Sequence, residues 1–409
     1  MLRFAALILS AQIALSAAAP LPLGQASKTG FHADRLKQVD QLVKRYVDEE
    51  KHAGVSYLVI RKGKIVAQQG YGTVNVDTSQ SIRPDTIFRI YSMSKVLTSV
   101  AALQLVESGD LNLNADISQW LPELKALNVM TDDGLQPASS PITVRMLLNH
   151  TAGFTYDFFE GSPVHDRYKQ ADLWNSESLN EFIQKVSALP LLSEPGKEFH
   201  YGIGLDVMGA LIERVFGETF PDYLRKHITQ PLRMSDTGFS VPDTKRKRLA
   251  TIHQQSASGS LETTAPILGA YAEAGRGIPS GGGGLFSTIG DYARFAQMLL
   301  NKGHLDGVQI LGRKTIELAL ENSLTETETP YNEFSPADGW GLLGAVRLDV
   351  GKSQELGSEG MFYWSGAATT HFFVDPKEEL IGLVFSQHIP FDQHNLFSPF
   401  RNTIYQALR

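Results

Sequence analysis

Residues 88–113 of the chain read FRIYSMSKVLTSVAALQLVESGDLNL and decide the fold. The strand-like pattern stops near residue 91, and from Ser92 onward apolar side chains recur at three- and four-residue steps. This spacing predicts a helix over 92–108, with Gly109 placed to end it. A helix therefore begins where a strand region ends, and the rest of the chain is organised around this point.

The segments on either side of this point differ in pattern. Before it, the sequence predicts a helix at 33–51 and a hairpin of 55–61 with 65–70. After it, the pattern is mainly helical to about residue 325, with helices predicted at 179–186, 205–216, 220–227 and 289–301. Strand patterns return only late, before a closing helix, and these segments are 339–349, 371–374, 380–387 and 393–408.

Strands at both ends of the chain thus enclose a helical middle. We predict an α+β fold, in which both chain ends build one antiparallel sheet, terminal helices pack on it and a mainly helical lobe is inserted. The corresponding division is 20–90 plus 326–409 for the sheet domain and 91–325 for the helical domain.

The composition is that of an ordinary globular protein, with 409 residues, 42% hydrophobic and 9% aromatic. This length predicts one large two-lobed domain or two interleaved domains. The net charge of −7 gives no electrostatic support for a nucleic acid or an anionic membrane as partner. The lack of cysteine excludes disulfides, thiolate metal ligands and a cysteine nucleophile, so any chemistry uses oxygen or nitrogen.

The N-terminus has the three parts of a secretory signal. Arg3 supplies a positive charge, residues 4–15 are apolar, and residues 16–19 are small. We expect a cleavable signal peptide at 1–19, with a buried N-terminal helix as the alternative. No other stretch reaches the roughly 18 apolar residues of a membrane helix. The mature protein is therefore expected to be exported to the periplasm or the cell exterior, without a membrane span.

Two chemistry-bearing side chains, Ser92 and Lys95, stand three residues apart at the start of the predicted helix. This spacing places both on one helix face, so that the amine can reach the hydroxyl and act as its base. The orphan N–H groups at a helix N-terminus also favour developing negative charge. Ser92 is therefore a candidate nucleophile. Because roughly one such pair arises by chance in a chain of this length, the wider sequence has to support the assignment.

Further blocks follow in one order along nearly the whole mature chain. Together with residues 88–113 they resemble the penicillin-recognising serine hydrolases, specifically the class C β-lactamase-like branch and within it the family VIII carboxylesterases. This resemblance implies a β-lactamase/transpeptidase-like fold and acyl-enzyme chemistry on a serine. The blocks are LLNHTAGFTYDF at 147–158, EPGKEFHYGIGLDVMG at 194–209, PLRMSDTGF at 231–239, SGGGGLFSTIGDYARFAQMLL at 280–300 and YWSGAATTHFFVDPKEELIGLVFSQ at 363–387.

The resemblance implies three catalytic side chains. Ser92 is the acylated nucleophile and Lys95 is its proton partner. Tyr201 opens the family's second motif and is a second base. This last role requires its phenol to be stabilised as the anion by a neighbouring cation such as Lys95.

The resemblance also implies a substrate-binding strand. Trp364, Ser365 and Gly366 stand where the family has Lys-Thr-Gly, and we expect them to bind substrate. By analogy, the backbone N–H of Ala367 pairs with that of Ser92 to form the oxyanion hole.

The sequence departs from the family at two positions. Trp364 replaces the lysine that grips a substrate carboxylate, and Ile203 stands where penicillin-binding members often have asparagine. Both changes disfavour β-lactam and amide recognition, so we predict an exported carboxylesterase that acts on small esters. A β-lactamase, a D-amino-acid peptidase and an acyltransferase are alternatives within the same chemistry. A non-catalytic binding or regulatory protein and a purely structural exported protein are further alternatives.

No cofactor or metal is predicted. The runs at 281–284 and 351–353 resemble phosphate-binding loops, but neither completes a nucleotide-binding fingerprint. We interpret the first as backbone packing beside the pocket and the second as a turn. The scattered His150, His253 and His371 give no metal-binding spacing. The predicted partner is a small-molecule ester, and the sequence predicts no oligomeric state.

Overall fold

The computed structural model describes residues 20–78, 80–267 and 277–409, and the predicted signal peptide at 1–19 lies outside the described residues. Helices form where apolar residues recur with helical spacing, and many begin at a Ser or Thr cap. The helices are α1 (Ala33–Asp48), α2 (Ser94–Ser108), α3 (Val144–Leu148), α4 (Pro163–Gln170), α5 (Leu179–Val186), α6 (Gly204–Phe216), α7 (Phe220–Leu224), α8 (Ile289–Leu300), α9 (Arg313–Ala319) and α10 (Phe397–Tyr405).

The strands come from both ends of the chain and from short pairs in between. They are β1 (Gly54–Arg61), β2 (Lys64–Gly72), β3 (Ile87–Arg89), β4 (Asn128–Thr131), β5 (Gly134–Pro137), β6 (His253–Gln255), β7 (Leu261–Thr263), β8 (Phe286–Thr288), β9 (His304–Leu305), β10 (Val308–Gln309), β11 (Asp338–Trp340), β12 (Ala345–Arg347), β13 (Phe362–Gly366), β14 (Thr370–Asp375) and β15 (Leu380–Ser386).

One seven-stranded sheet has the order β11-β12-β13-β14-β15-β1-β2, and its neighbouring strands are antiparallel. The two chain ends meet in its interior, where β1 pairs with β15 from Val55 opposite Ser386 to Arg61 opposite Leu380. This pairing confirms the predicted α+β sheet built from both ends. The domain boundaries at 90/91 and 325/326 stay a prediction.

The sheet separates two apolar cores. Along β1, Val55, Tyr57 and Val59 pack with α1 and α10, while Leu58 and Ile60 pack with the inserted helices on the other side. This alternation follows from the two-residue period of a strand. The layer of terminal helices therefore lies on one face and the helical lobe on the other.

The nucleophile candidate lies on the face with the helical lobe. Helix α2 is buried along most of its length, as a helix in the middle of a lobe must be. Its first turn is anchored by two polar contacts, from Leu285 N to Ser94 Oγ (3.1 Å) and from Thr98 Oγ1 to Gly281 O (2.7 Å). These contacts place residues 281–285 beside the start of α2, in agreement with the predicted packing of the glycine run.

The strand predicted over 339–349 is wrong in part, because the structure has two strands there. β11 and β12 form a hairpin, closed by a bond from Gly341 N to Gly344 O (2.9 Å). The apolar Leu342 and Leu343 continue the strand-like pattern through the turn. They are buried because the turn packs inward, where Leu342 N donates to Ala319 O (2.8 Å).

Several predicted helices are shorter than expected. The helix predicted over 92–108 begins at Ser94, because Tyr91–Met93 forms a 3₁₀ turn. α1 ends at Asp48 and α10 begins only at Phe397, because Glu50 (φ 53°) and Asn395 (φ 50°) adopt left-handed backbone conformations. A right-handed helix cannot include such a residue. The helix predicted over 220–227 is α7 followed by a wider π turn at Arg225–Thr229.

The chain contains a short basic run, Lys245 to Arg248. Its charges are largely neutralised, since Lys245 and Arg248 both pair with Asp236, and Arg246 pairs with Asp243. The run therefore gives no support for an anionic partner. Within the described ranges, no helix has the length and apolar character needed to cross a bilayer.

Candidate active site

Ser92 lies in a tight 3₁₀ turn, Tyr91–Met93, that links β3 to α2. Tyr91 has φ 40°, in the left-handed region that a large side chain rarely adopts. Strain of this kind persists only where the surroundings enforce it, and it is common beside reactive groups. The turn leaves Ser92 half-buried, between two buried neighbours.

Lys95 follows one turn later and is buried. Its Nζ is 3.1 Å from Ser92 Oγ, 2.9 Å from Tyr156 OH and 2.7 Å from Gly282 O. Burial lowers the pKa of Lys95 to about 7, and the nearby charge of Asp206 acts in the opposite direction. The amine is therefore present in both protonation states near neutral pH.

The contacts of Lys95 fix where its lone pair points. The Gly282 carbonyl can only accept a hydrogen bond, and Tyr156 OH donates to Asp206 Oδ2 (3.3 Å), so it accepts from Lys95. These two acceptors engage both N–H groups of a neutral amine. The remaining lone pair is left for the proton of Ser92.

Asp206 is the buried anchor of this network. Its Oδ1 accepts from Ser280 Oγ (2.5 Å) and from Gly282 N (3.0 Å). Burial raises the pKa of Asp206, while the charge of Lys95 and these hydrogen bonds act to lower it. A Cβ on Gly282 would lie 2.4 Å from Asp206 Oδ2 and 2.6 Å from Tyr156 OH, so only glycine allows the approach.

Tyr201 reaches the same point from the segment before α6. Its hydroxyl is hydrogen-bonded to Ser92 and accepts from Trp364 Nε1 (3.0 Å). Burial raises the pKa of Tyr201 above its ordinary value, and the Lys95 amine lies over its ring, 4.6 Å from the centroid, instead of bonding its oxygen. The predicted phenolate is therefore not supported, because burial and geometry both favour a neutral phenol.

The end of β13 closes the other side of the site. A Cβ on Gly366 would lie only 2.3 Å from the carbonyl oxygen of Ile90, so the strand touches the backbone that leads to Ser92. Ala367 follows in a tight turn closed by Thr369 N and Gly366 O (3.0 Å). The structure thus brings the Trp364–Ala367 segment to the Ser92 turn.

Ser365 is placed differently from the prediction. Side chains alternate along a strand, so Ser365 faces away from Trp364, and its Oγ lies 2.8 Å from Nδ1 of the buried His371. This engagement does not support the substrate contact that we expected from its position in the Trp-Ser-Gly triplet.

Aromatic rings enclose the polar groups. Tyr156 stacks on Phe158 (centroids 4.9 Å apart), and Tyr201 contacts the edge of Phe334 (5.5 Å). Phe158 and Phe334 are 55% and 52% exposed, so they lie at the rim while the tyrosines lie deeper. The polar groups near Ser92 are therefore flanked by tyrosine rings at depth and by two phenylalanine rings at the surface.

His150, His253 and His371 do not form a metal site. His150 lies behind Tyr201 (centroids 4.6 Å apart), and its Nδ1 accepts from Gly202 N (3.3 Å), so it bridges local structure. His253 and His371 lie on β6 and β14. Across the part of the chain that the structure describes, no three His, Asp or Glu side chains are grouped so that they could hold a metal ion.

Comparison with known proteins identifies the family. The sequence profile of the Beta-lactamase family matches residues 39–395. The chain belongs to this family. Membership in the beta-lactamase family agrees with the resemblance read from the sequence blocks and accounts for their order along the chain.

Curated relatives in the beta-lactamase family cover most of the chain. Protein Rv1367c of Mycobacterium tuberculosis is 31% identical, over 83% of this chain and 86% of that protein. Monacolin J acid methylbutanoyltransferase of Aspergillus terreus is 30% identical, over 82% and 86%. Esterase EstB of Burkholderia gladioli is 27% identical, over 83% and 86%. The relatives thus include an esterase and an acyltransferase.

Solved structures agree. EstCE1, a hydrolase with promiscuous acyltransferase activity, superimposes with a TM-score of 0.79 at 27% identity, covering 91% of this chain and 99% of that one. Simvastatin synthase (LovD) from Aspergillus terreus gives 0.78 at 26%, covering 91% and 98%. The fold is therefore of the β-lactamase/transpeptidase type, and this member of the beta-lactamase family has serine hydrolase and acyl-transferring relatives.

Two residues of the site were not identified from the sequence. Tyr156 and Asp206 lie inside blocks 147–158 and 194–209, yet neither stands at a diagnostic spacing from Ser92 or Lys95. Their role depends on long-range folding, which brings them to the Lys95 amine. The sequence signal for each of them is its place inside a block that carries the family resemblance.

Proposed function

We propose that this protein is an exported serine carboxylesterase that acts on small esters through an acyl-enzyme on Ser92. The observation that carries the proposal is the buried Lys95 amine, 3.1 Å from Ser92 Oγ and with a pKa lowered to about 7. A serine needs a base that is neutral at working pH, and a desolvated lysine meets this requirement.

Acylation follows from this geometry. Ser92 Oγ attacks the ester carbonyl while its proton passes to the Lys95 amine. The N–H groups of Ser92 and Ala367 receive the developing oxyanion. The Lys95 ammonium then gives this proton to the leaving alkoxide, and the neutral phenol of Tyr201, hydrogen-bonded to Ser92, stabilises that oxygen by donating a hydrogen bond. An acyl-enzyme and a free alcohol result.

Deacylation reverses the proton path. A water takes the place of the alcohol, gives its proton to the Lys95 amine while the Tyr201 hydroxyl holds it by a hydrogen bond, and attacks the acyl carbon. The tetrahedral species collapses, the bond to Ser92 Oγ breaks, and the serine regains its proton. The Asp206–Tyr156 pair keeps the amine in position throughout both halves.

An ester is favoured over an acidic β-lactam because of Trp364. Its indole Nε1 donates to Tyr201 OH, in the place where the family's lysine would stand. An indole supplies the hydrogen bond but no positive charge for a substrate carboxylate. A neutral ester needs no such charge. The exposed rings of Phe158 and Phe334 suit an apolar group of the substrate.

Acyl transfer to an alcohol is the second candidate. It is supported by the 30% identity to Monacolin J acid methylbutanoyltransferase. It is also supported by the aromatic rings of Phe158 and Phe334 at the surface of the site, which would favour an apolar alcohol over water. β-Lactamase and D-amino-acid peptidase activities belong to the same chemistry, but no feature of the described site favours them.

Turnover of p-nitrophenyl acetate and butyrate, measured beside a chromogenic cephalosporin, tests the proposal. We expect ester turnover to exceed cephalosporin turnover and to be lost in Ser92→Ala. Adding a primary alcohol and quantifying the new ester separates transfer from hydrolysis. Cephalosporin turnover well above ester turnover would contradict the assignment, and a Ser92→Ala variant with full activity would contradict the site.

Export is proposed from the first 19 residues alone. Fractionation of cells that express the full chain, followed by N-terminal sequencing of the exported protein, tests it. We expect a mature N-terminus close to residue 20 in the exported fraction, whereas uncleaved protein in the cytosol would contradict the proposal.

A further inference from the structure

A buried polar chain lies behind β13, on the strand face opposite Trp364. It runs from Glu355 through Arg401 and His371 to Ser365. Glu355 is ion-paired with Arg401 Nη1, and Arg401 Nη2 lies 3.0 Å from His371 Nε2. His371 Nδ1 then lies 2.8 Å from Ser365 Oγ. Arg401 and His371 are each 1% exposed, so the middle of the chain is screened from water, whereas the Glu355 side chain at its outer end is 25% exposed.

The chemistry of these groups fixes the position of the imidazole proton. A guanidinium has donors only, so His371 Nε2 must accept from Arg401. Burial and the charge of Arg401 hold the pKa of His371 well below its usual range, so the ring carries one proton. That proton is therefore on Nδ1, and Nδ1–H donates toward β13.

The imidazole holds the end of β13 through Ser365. His371 is the cross-strand partner of Ser365 and bonds its hydroxyl. Phe397 of α10 stacks on the other side of the ring, with centroids 4.6 Å apart and planes 19° apart. The ring therefore cannot turn without losing contacts on both sides.

The front of the same strand carries the groups that face Ser92. Trp364 Nε1 donates to Tyr201 OH (3.0 Å), Gly366 packs against the Ile90 carbonyl, and Ala367 follows at once. A displacement of the strand toward α10 would move each of these groups. In catalysis, a shift of about 1 Å in such a group can slow a reaction by roughly 10²-fold.

A buried charge is a costly way to fill space, because apolar side chains of similar volume are often at least as stabilising. What a hydrogen-bonded polar chain does supply is one fixed arrangement of its members. The chain from Glu355 to Ser365 ends at the strand that flanks the nucleophile, and this location suggests what the arrangement is for.

We propose that His371 is a positioning residue, which holds the Trp364–Ala367 segment at its working distance from Ser92 through Ser365 and is itself oriented by Arg401. The inference rests on the proposed function for its meaning in catalysis. The reactivity of Ser92 provides a readout that does not depend on which ester is the substrate.

Two substitutions of His371 separate positioning from simple space filling. The amide nitrogen of Asn matches the place of Nδ1, so His371→Asn keeps a donor toward Ser365. Gln matches the place of Nε2, so His371→Gln keeps a partner for Arg401 and loses the donor toward β13. Ser365→Ala removes only the hydroxyl, and Ser176→Ala is its matched control, because Ser176 bonds the local Leu173 carbonyl (2.7 Å) in the helical lobe.

The test is the rate at which a fluorophosphonate labels Ser92, followed by intact mass, with the thermal midpoint of each variant. In this reaction Ser92 Oγ bonds phosphorus, fluoride leaves, and Lys95 takes the serine proton. We expect labelling to slow roughly tenfold or more in Ser365→Ala and His371→Gln. We expect near wild-type rates in His371→Asn and Ser176→Ala, and no matching loss of thermal midpoint in Ser365→Ala.

Equal labelling rates in the wild type, Ser365→Ala and His371→Gln would overturn the proposal. Labelling rates of His371→Asn and His371→Gln that fall in proportion to their losses of thermal midpoint would overturn it as well. If His371→Gln does not fold, Ser365→Ala decides the matter. A wild type that is labelled but hydrolyses no ester would reject the carboxylesterase assignment alone. A wild type that is not labelled at all would reject both.

Discussion

In the proposed mechanism, a single amine determines whether Ser92 can react. Lys95 is buried, its two possible N–H acceptors are Tyr156 and Gly282, and its lone pair is left for Ser92. A lysine in water would be protonated at neutral pH and useless as a base. Burial changes this, because it disfavours the charged form. The chemistry of the site therefore depends on desolvation as much as on proximity.

Lys95→Arg tests this reading at one residue. Arginine keeps a positive charge but cannot become neutral near pH 7, so it cannot accept the serine proton. We expect ester turnover to fall by roughly 10²- to 10⁴-fold, the usual contribution of a general base. Lys185→Arg on the surface of α5 is the control and should retain full activity. Appreciable turnover in Lys95→Arg would contradict the base assignment.

The pH profile tests the same amine independently. Because the pKa of Lys95 is lowered to about 7, the neutral form is gained as pH rises, and kcat/KM should rise with a midpoint near 7. Asp206 acts to raise the pKa of Lys95, so Asp206→Asn should move the midpoint of the rise in kcat/KM to lower pH. A midpoint that stays in place or moves to higher pH in Asp206→Asn would contradict the proposed network.

At this scale the sequence predicted part of the site. Ser92 lies in the 3₁₀ turn that leads into α2, and Lys95 lies three residues later in the first turn of α2, so local spacing was sufficient for them. Tyr201 and the Trp364–Ala367 segment were placed by resemblance. Tyr156 and Asp206 are brought in by tertiary contacts, and the orientation of Ser365 depends on the pairing of β13 with β14. No spacing in the sequence encodes those contacts.

Among the structural elements, the end of β13 is the most constrained. It lies between the Ile90 carbonyl in front and His371 behind, and it carries Trp364 and Ala367 to the site. The contact in front is with the backbone just before the nucleophile, which cannot move without moving Ser92. Substitutions that crowd the contact with the Ile90 carbonyl should therefore affect catalysis and stability together.

Gly366→Ala tests this close contact. The added methyl group would lie 2.3 Å from both the Ile90 carbonyl oxygen and Thr370 Oγ1. We expect destabilisation of about 1–3 kcal/mol, the usual cost of overpacking, with loss of most ester turnover. Urea unfolding and kinetic assays measure both.

The matched control for that substitution is Gly290→Ala in the first turn of α8. The nearest atom to its added methyl group is 4.0 Å away, so the change should be neutral or slightly stabilising and leave turnover intact. An equal response of Gly366→Ala and Gly290→Ala would show that the β13 contact is unimportant.

The elements themselves were largely predictable where their pattern is local. α5 was predicted at its observed bounds, and β1, β2, α6 and α8 within one or two residues. The predicted bounds were wrong where the backbone changes direction inside a continuous run of apolar residues. The turn between β11 and β12 is lined by buried leucines, and left-handed residues end α1 and delay α10. The spacing of apolar residues indicates which side chains are buried, but it carries no information about the sign of φ.

At the scale of the whole molecule, folding buries several imidazoles in different parts of the chain. His52, His150 and His371 are buried, and burial holds the pKa of each well below its usual range. Once unfolded, each would bind a proton below about pH 6.5. The buried histidines therefore make the folded state lose stability as pH falls below that value.

His52→Gln isolates this effect. Asp291 and Asp392, whose pKa values are raised by burial to about 6, act with the opposite sign and mask it in the wild type. We expect the destabilisation caused by His52→Gln to be smaller at pH 5.5 than at pH 7.5, by about 1.4 kcal/mol. Urea unfolding at both pH values measures it, and an equal loss at the two would show that His52 is not held neutral in the fold.

The central claim is that Ser92 carries the acyl group. Incubation with a slowly hydrolysed p-nitrophenyl ester, acid quenching and peptide mass spectrometry locate the acyl group directly. We predict an adduct of one acyl mass on the peptide that contains residue 92, none in Ser92→Ala, and little in Lys95→Arg. An acyl group on any other residue, or full adduct formation in Ser92→Ala, would contradict the account.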